Sequence, residues 1–408
     1  MPMTTDRIAE ARALAREALA RNVTPLGMLA SCEGYPQVWA RDSMITLLGA
    51  TLDGGADALA CLRTSLETLA KRQSRFGQIP SLVALKDGRA TWGGMDGNSW
   101  FVIGAARYAE LSGDAGWRRR MADAVVAALD WCEAHDLHHW GLMVSPEAGD
   151  WADLLSWHGH VLFPNALYAG ALGRAAEMLA ADRPETAERL RGRREAVVAA
   201  LQDRFWVKPP TAFEDDSHGR VRTLMACQLR RRPYFLPWVD FYDYGDHFDV
   251  AGNLLTILCG VATAEQAGQI LDYTDQVSVN RPYPVRVLYP TIQRGEPAWR
   301  DYYRLYNLNY PHQYHNGGIW PWVGGLYIAA LVKTGRRERA ATELALLAEA
   351  NLALKDGEPG AFNEWLHGET GKPMGARWQA WSAGMFLYAC HAVETGQCPG
   401  WGGESEKK

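Results

Sequence analysis

The sequence lacks the features that mark several broad classes of protein. Its 408 residues include seven cysteines, an odd number without any CxxC pair, which predicts neither a disulfide framework nor a zinc knuckle. No apolar run approaches the roughly 20 residues that a membrane-spanning helix needs. A net charge of −5 without a basic run argues against a nucleic-acid partner. The cysteines are Cys32, Cys61, Cys132, Cys227, Cys259, Cys390 and Cys398.

The first twenty residues, MPMTTDRIAEARALAREALA, also lack the pattern of a secretory signal. They are charged and helical, whereas a signal peptide is basic and then apolar. We therefore expect a cytoplasmic protein.

Long β-branched runs are nearly absent, and helical periodicity dominates the chain. The periodicity predicts about twelve helices. They fall near residues 5–21, 41–53, 55–73, 97–112, 115–135, 160–181, 184–205, 250–258, 263–274, 316–334, 337–353 and 380–394.

The predicted helices alternate in character along the chain. Stretches such as ETAERLRGRREAVVAAL carry mixed charge and an apolar stripe, which is typical of a helix with one face in water. Stretches such as NALYAGALGRAA and WSAGMFLYACHAV are poor in charge all round, which is typical of buried helices. Six such alternations predict an all-α fold, an (α/α)6 barrel, with residues 1–408 forming a single catalytic domain.

Long, aromatic-rich loops lead from each predicted outer helix to the next inner one. In such a barrel these loops all lie at one end, and long irregular loops in a compact domain are usually functional. We therefore expect a pocket at that end, the mouth of the barrel. The loops are residues 33–43, 77–100, 145–159, a stretch ending at 241–253, 310–322 and 362–382.

The aromatic composition is compatible with a sugar site at this mouth. The chain has 17 Trp and 16 Tyr but only 10 Phe. Large barrel cores also use Trp, but aromatic rings with a polar edge suit sugars, whose C–H faces stack on rings while their hydroxyls form hydrogen bonds.

The mouth loops also carry carboxylates in aromatic company. Hydrolysis of a glycosidic bond needs one carboxylic acid and one carboxylate on opposite sides of the sugar. Asp42 and Asp96 stand where helix N-caps stand, which is the commoner use of such residues. The candidate carboxylates are Asp42, Asp96, Asp150, Asp153, Asp243, Asp246, Asp249, Glu364 and Glu369.

Three segments of the chain resemble the neutral/alkaline invertases. GYPQVWARDS (34–43) is similar to their YNQVFIRDF, QYHNGGIWP (313–321) to their LYHNGGSWP, and FNEW with RWQAWSAGMFL (377–387) to their WPEYYD and QTWSIAGYL. The order of the segments follows essentially the whole chain. Trehalases and the hydrolases of glucosylglycerate or mannosylglycerate share the same inverting (α/α)6 plan.

The resemblance implies a role for particular residues. It makes Asp153 the general acid and Glu364 the general base, and it assigns the remaining mouth residues to the sugar. Asp150 is an alternative acid three residues earlier. The implied substrate-binding residues are Tyr35, Gln37, Trp39, Arg41, Asp42, Asp96, Trp151, His315, Asn316, Trp320 and Trp381.

One departure from the invertase pattern concerns the expected substrate more than the expected reaction. Invertases follow the acid with two arginines, but Leu154 and Leu155 follow Asp153 here. The GWDxSPR pattern of trehalases is also absent. The resemblance therefore implies a short α-linked sugar, with sucrose as the first choice and another α-glucoside or α-mannoside as the alternative.

Two other functions compete with hydrolysis. Cofactor-free sugar epimerases use the same barrel with a pair of histidines, and a non-catalytic sugar-binding barrel would keep the tryptophans without paired carboxylates. No HExxH or comparable spacing appears, so we expect neither a metal nor a cofactor. The expected partner is a small carbohydrate, without nucleic acid or membrane, and a homo-oligomer is left open.

Overall fold

The computed structural model describes residues 2–207, 225, 228–229, 232–357 and 362–402. Within these ranges helices dominate, and each strand has only two or three residues. The helices are α1 (Pro2–Asn22), α2 (Ala40–Asp53), α3 (Gly55–Ala70), α4 (Gly97–Ser112), α5 (Ala115–Ala134), α6 (Leu162–Leu179), α7 (Pro184–Arg204), α8 (Val250–Leu258), α9 (Ala264–Gln276), α10 (Tyr302–Tyr306), α11 (Pro321–Lys333), α12 (Arg337–Asn351) and α13 (Ala380–Thr395).

Each of the twelve predicted helices is present among the described residues. The largest difference lies at α11, which was expected from residue 316 but begins at Pro321. Proline favours the first turn of a helix, where its missing N–H costs nothing, and the preceding Gly317 has a φ of +86°, which a helix does not allow. The five-residue α10 was not predicted, because it is too short to show a periodic pattern.

Six helices form a closed inner ring. In order around the ring, α2, α4, α6, α8, α11 and α13 each contact the next, and α13 contacts α2. The ring closes through direct backbone contact: a Cβ at Gly49 of α2 would lie 1.7 Å from the carbonyl oxygen of Gly384 in α13. Only glycine at these two positions lets the helices approach so closely.

The other long helices form the outer layer. α3 contacts α2 and α4, α5 contacts α4 and α6, and α1 contacts α12 and α13. α7 shows why such helices lie outside: it buries Ala187, Leu190, Val197 and Leu201, which share one face, and exposes charge on the rest. The fold is therefore the predicted (α/α)6 barrel.

Buried asparagines fasten the mouth loops to the inner helices. Asn98 of α4, Asn165 of α6 and Asn253 of α8 each accept a hydrogen bond from one backbone N–H and donate to two carbonyls. A primary amide can accept from a backbone N–H and donate to a backbone carbonyl. It therefore forms the hydrogen bonds that a neighbouring strand would otherwise provide to these loops. This repeated contact holds irregular loops in place without long strands.

Short strand pairs connect the loops to one another at the same end. β3 pairs with β4 and β4 with β5, while β6–β7, β8–β9 and β10–β11 form separate antiparallel pairs. β3, β6 and β8 each lead directly into an inner helix, α2, α6 and α8. The strands are β1 (Val23–Thr24), β2 (Gly27–Met28), β3 (Gln37–Trp39), β4 (Leu82–Ala84), β5 (Ala90–Thr91), β6 (His160–Val161), β7 (Trp238–Val239), β8 (Phe248–Asp249), β9 (Leu288–Tyr289), β10 (Trp365–Leu366) and β11 (Pro373–Met374).

The described part of the chain has neither a membrane-spanning helix nor a disulfide bond. None of its helices combines the length and the apolar character needed to cross a bilayer. The six cysteines in this part are free thiols, and Cys227 lies outside it.

Candidate active site

Two adjoining pockets open at the mouth of the barrel. The inner pocket has a volume of about 60 Å³ and the outer pocket about 270 Å³. Trp39, Arg41 and Asp153 line both, so these three residues mark the junction between them. A ligand longer than one sugar ring could therefore extend from the inner pocket into the outer one.

Eleven of the thirteen residues that the resemblance implied line one pocket or both. Asp96 lines the outer pocket only. The ten predicted residues that line the inner pocket are Tyr35, Trp39, Arg41, Asp42, Trp151, Asp153, His315, Trp320, Glu364 and Trp381.

The other two predicted residues lie away from the pocket surface. The Asn316 amide is fully used by backbone groups: it accepts from Ile292 N–H and donates to the carbonyls of Ile292 and Asn309. It is a further example of the asparagine contact that fastens the loops. The Gln37 side chain accepts a hydrogen bond from the Trp39 indole at 3.2 Å and so supports a pocket residue.

Glu364 is held in a fixed orientation in the inner pocket. It immediately precedes β10, and the pairing of β10 with β11 brings Ala376 across from it. The Ala376 N–H donates to Glu364 Oε2 at 2.9 Å, and the Tyr35 hydroxyl donates to Oε1 at 3.1 Å. Gly375 has a φ of +69°, and a Cβ there would lie 2.4 Å from Oε2, so this turn requires glycine.

The environment of Glu364 favours its neutral form more than water does. The pKa of Glu364 is raised to about 7, mainly by burial and to a smaller extent by the nearby carboxylates of Asp42 and Asp153. The hydrogen bonds from Ala376 and Tyr35 act in the opposite direction. Glu364 therefore titrates close to neutral pH.

Asp153 lies at the junction of the two pockets and remains accessible. Its side chain is 50% exposed, and Oδ1 lies 3.9 Å from Nδ1 of the buried His315. Desolvation within the cleft raises the pKa of Asp153, Arg41 lowers it, and Asp96 raises it again. Burial and Arg41 lower the pKa of His315 well below its ordinary value, so this imidazole is neutral.

Arg41 contacts two carboxylates. Its guanidinium donates to Asp96 Oδ2 at 3.1 Å and lies 3.6 Å from Asp42 Oδ2. Asp96 occupies the N-cap position of α4, but its side chain makes no capping hydrogen bond. Its carboxylate accepts the hydrogen bond from Arg41 instead. Burial raises the pKa of Asp42 to about 6 in spite of Arg41.

Aromatic rings form the rest of the inner pocket. Trp320 stacks on His315 at 5.1 Å and meets Trp151 and Trp381 edge to face at 5.5 and 5.7 Å. Within the described residues, the indole N–H groups of Trp151 and Trp381 and Oδ2 of Asp42 are buried without a hydrogen-bond partner. Buried polar groups are normally paired, so these atoms are suited to the hydroxyls of a bound sugar.

Several pocket residues were not singled out from the sequence. Tyr314 and Gln379 line the inner pocket, and Ser81, Thr91 and Trp92 line the outer one. Tyr314 stands beside the HNGG segment and Gln379 within the QAWS segment, so their neighbourhood was a signal. The outer-pocket residues lie in the 77–100 loop, where the sequence drew attention only to Asp96.

Asp150 lies beside the junction as a buried neighbour of Asp153. Oδ1 accepts from the Ala152 N–H at 2.9 Å, and Oδ2 is buried without a hydrogen-bond partner among the described residues. The pKa of Asp150 is raised to about 8, mainly by burial and next by the charge of Asp96. At neutral pH this carboxyl is therefore largely protonated.

Replacing Asp150 by Asn should stabilise the protein more at high pH than at low pH. The folded-state pKa of about 8 lies above the ordinary value of 3.8, so stability from this group is lost as pH rises from about 4 through 8. Asparagine mimics the protonated acid and escapes this loss. The melting temperature of Asp150→Asn relative to wild type should rise by at least ~2 °C between pH 5 and pH 9.

The matched control is Asp57→Asn, at an exposed position of α3. Its difference from wild type should be the same at both pH values. An Asp150→Asn difference that also stays constant would contradict the raised pKa.

The described residues contain no group of three or more His, Cys, Asp or Glu side chains arranged to hold a metal ion. Asp96 is paired with Arg41, Glu364 with Tyr35 and the Ala376 N–H, and Asp150 with the Ala152 N–H.

The sequence matches a family model and several curated proteins. Residues 15–388 match the family model described as Amylo-alpha-1,6-glucosidase. The chain is 26% identical to "Probable alkaline/neutral invertase D" of Arabidopsis thaliana over 91% of this chain and 79% of that protein. It is 35% identical to "Cytosolic invertase 1" of Oryza sativa subsp. japonica over 35% of this chain and 25% of that protein.

A solved structure shares the fold. The GH63 mannosylglycerate hydrolase from Thermus thermophilus, in complex with Tris and D-glycerate, superposes with a TM-score of 0.69 over 92% of this chain and 99% of that one. At 17% identity this likeness shows the barrel and no more.

The protein is a glycoside hydrolase. Its helical barrel has carboxyl groups among tryptophans in the mouth pocket, and its sequence is similar to glucosidases and invertases. Within that class, the chain belongs to the Amylo-alpha-1,6-glucosidase family, whose model spans nearly all of the barrel.

Proposed function

We propose that the protein is an inverting glycosidase of short α-linked sugars, with sucrose as the first substrate to test. Asp153 is the general acid and Glu364 the general base, and the barrel is one catalytic domain. The observation that carries the proposal is that these two carboxyl groups line the same small pocket, one accessible at its junction and one fixed in its interior. Inverting hydrolysis needs such a pair.

The reaction proceeds in one displacement. Asp153 gives its proton to the glycosidic oxygen as the bond from that oxygen to the anomeric carbon breaks. Glu364 takes a proton from a water molecule whose oxygen bonds to the anomeric carbon from the opposite face. One water is consumed, and Asp153 regains its proton while Glu364 loses one to solvent. A base that titrates near pH 7 suits this role, because proton transfer is most effective near the working pH.

The rest of the inner pocket binds the sugar that is attacked. Asp42 offers a buried oxygen without a hydrogen-bond partner, and Arg41 holds Asp42 and Asp96 in place. Trp151 and Trp381 offer free indole donors, while Trp39 and Trp320 supply ring faces.

Sucrose is the first choice because the relatives that cover most of this chain carry the name invertase. Other α-linked disaccharides and sugar-glycerate compounds are the alternatives, since Leu154 and Leu155 stand where invertases have two arginines. Leu155 is buried and Leu154 half-buried, so neither replaces those charges. A soluble disaccharide also suits the proposed cytoplasmic location.

The test is a panel of α-linked disaccharides and sugar-glycerate compounds, followed by a reducing-end assay. Hydrolysis raises the reducing-end count. An epimerase would leave the count constant while changing the sugar, and a binding protein would change neither. We expect a rise with sucrose or another short α-linked sugar. No rise with any member of the panel would contradict the proposal.

Replacing Tyr35 by Phe should move the acidic limb of the pH profile to higher pH. The Tyr35 hydroxyl stabilises the Glu364 carboxylate and lowers its pKa, so its loss raises that pKa further above 7. Because the base works only when ionised, kcat/KM should rise with pH later in Tyr35→Phe than in wild type.

The control is Tyr306→Phe, at an exposed tyrosine in α10 that lines neither pocket, which should leave the profile where it is. An acidic limb that stays fixed in Tyr35→Phe, or moves to lower pH, would argue against Glu364 as the base.

A further inference from the structure

The outer pocket has its own walls, separate from the residues that hold Glu364. One wall is the β4–β5 hairpin with the turn that follows it, and the other is the 145–159 loop. The Met95 N–H donates to the Gly149 carbonyl at 2.8 Å and joins the two walls. The Gly94 N–H donates to Ser81 Oγ at 2.9 Å and fixes the turn. The pocket is therefore shaped before a ligand binds.

Trp92 gives this pocket an aromatic surface. It directly follows β5, lines the outer pocket and is 45% exposed, whereas most other tryptophans of the described chain are buried. Thr91 and Ser81 add hydroxyls beside it, and Gly93 and Gly94 leave space where side chains would otherwise project. An exposed ring next to hydroxyls and open space fits the apolar face of a sugar.

The charged residues of the outer pocket also favour a neutral ligand. Its lining contains three carboxyl groups, those of Asp96, Asp150 and Asp153, and one cation, Arg41. Arg41 is already engaged by Asp96 at 3.1 Å and Asp42 at 3.6 Å. An acidic group entering here would find no unpaired cation in this lining, so its charge would lose water without gaining a partner, which disfavours it.

We propose that the outer pocket is the subsite for the leaving group, that Trp92 is its stacking platform, and that it selects a neutral sugar over an acidic group such as glycerate. This rests on the proposed hydrolase function. Asp153 lines both pockets, so a bond between a ring in the inner pocket and a ring in the outer one would lie beside the proposed acid.

The first test separates leaving-group binding from chemistry. α-Glucosyl fluoride fills only the inner pocket, whereas a disaccharide fills both. Trp92→Ala should raise KM on the fastest neutral disaccharide of the panel, sucrose in the first instance, and lower kcat/KM about three- to tenfold more than on the fluoride. Trp92→Phe, which keeps a ring, should recover most of the loss.

The control variant is Phe76→Ala, an exposed aromatic residue outside both pockets, which should change neither substrate. Equal effects of Trp92→Ala on disaccharide and fluoride would overturn the assignment of Trp92.

The second test addresses charge. Wild-type kcat/KM should be at least about tenfold higher for the neutral disaccharide than for α-glucosylglycerate, which carries the same glucose. Thr91→Arg places a cation at the pocket rim without removing a charge partner, and it should shift that ratio toward the glycerate compound. An unshifted ratio, or a wild-type preference for the glycerate compound, would refute the proposed selectivity.

These outcomes distinguish the subsite from the proposed function. If wild type cleaves neither the disaccharides nor the fluoride, the hydrolase proposal fails and the subsite fails with it. If wild type cleaves both and the Trp92 and Thr91 variants show no selective effect, only the subsite is wrong.

Discussion

Glu364→Gln is expected to lower kcat by roughly 10²–10⁴ on both sucrose and α-glucosyl fluoride. Every substrate needs an activated water, and an amide cannot accept the proton that water loses. The fold should persist, because glutamine has nearly the same shape and its carbonyl oxygen, placed at the Oε2 position, can still accept from the Ala376 N–H at 2.9 Å, with the Tyr35 hydroxyl 3.4 Å from the same position. Steady-state kinetics on the two substrates, with circular dichroism of each variant, measure this.

The matched control for Glu364→Gln is Glu369→Gln. Glu369 belongs to the same mouth loop but is 62% exposed, lies 3.4 Å from His312 and lines neither pocket. It should stay within about twofold of wild type, as surface substitutions usually do. A folded Glu364→Gln variant that keeps near wild-type turnover would remove Glu364 from the mechanism.

Asp153→Asn is expected to lose roughly 10²–10⁴ of its kcat/KM on the natural glycoside, yet to keep much of its activity on α-glucosyl fluoride. A sugar alkoxide is a poor leaving group and needs a proton, whereas fluoride leaves as a stable anion. The accessible position of Asp153 at the junction of the pockets, with a raised pKa, supports this role.

Asp150→Asn distinguishes between the two neighbouring acids. Asp150 is buried, accepts a hydrogen bond from the Ala152 N–H and is already largely protonated at neutral pH, so its replacement by an amide should have a milder effect that is similar on both substrates. If Asp150→Asn instead shows the selective rescue by fluoride and Asp153→Asn does not, Asp150 is the acid while the two-carboxylate mechanism stands.

The fold could be predicted from the sequence because its information is local and repeated. Helical periodicity located the helices, and the charged face of α7 against the buried surface of α6 distinguished the outer layer from the inner one. What could not be predicted is how closely the layers meet. The contact of Gly49 with Gly384 joins residues at opposite ends of the barrel sequence, and no pattern within either helix announces it.

The sequence predicted some features of the site better than others, because a motif identifies residues but not the groups that they contact. Asn316 belongs to a recognisable HNGG segment, but its amide binds backbone, which only the path of the 292 and 309 loops reveals. Asp96 was a plausible cap from its position, and the approach of Arg41 from another loop explains why it is not. Trp92 carried no local signal at all, because a pocket wall depends on what faces it.

The tryptophans have two roles, packing in the core and lining the pocket, and the composition alone does not distinguish them. Trp100, Trp117 and Trp322 are fully buried in the barrel, as a large helical core allows. Trp39 and Trp381 line the inner pocket. The expectation of a sugar site from aromatic content was therefore supported by only part of the residues counted.

The most direct test of the central claim is the configuration of the first product. If Glu364 activates water for a single displacement while Asp153 protonates the leaving oxygen, an α-glucoside must release β-glucose. Proton NMR during the first minutes of hydrolysis of sucrose or α-glucosyl fluoride, before mutarotation, resolves the two anomeric protons. We predict that the β-anomer appears first and the α-anomer follows at the rate of mutarotation, whereas initial release of the α-anomer would contradict the one-step mechanism.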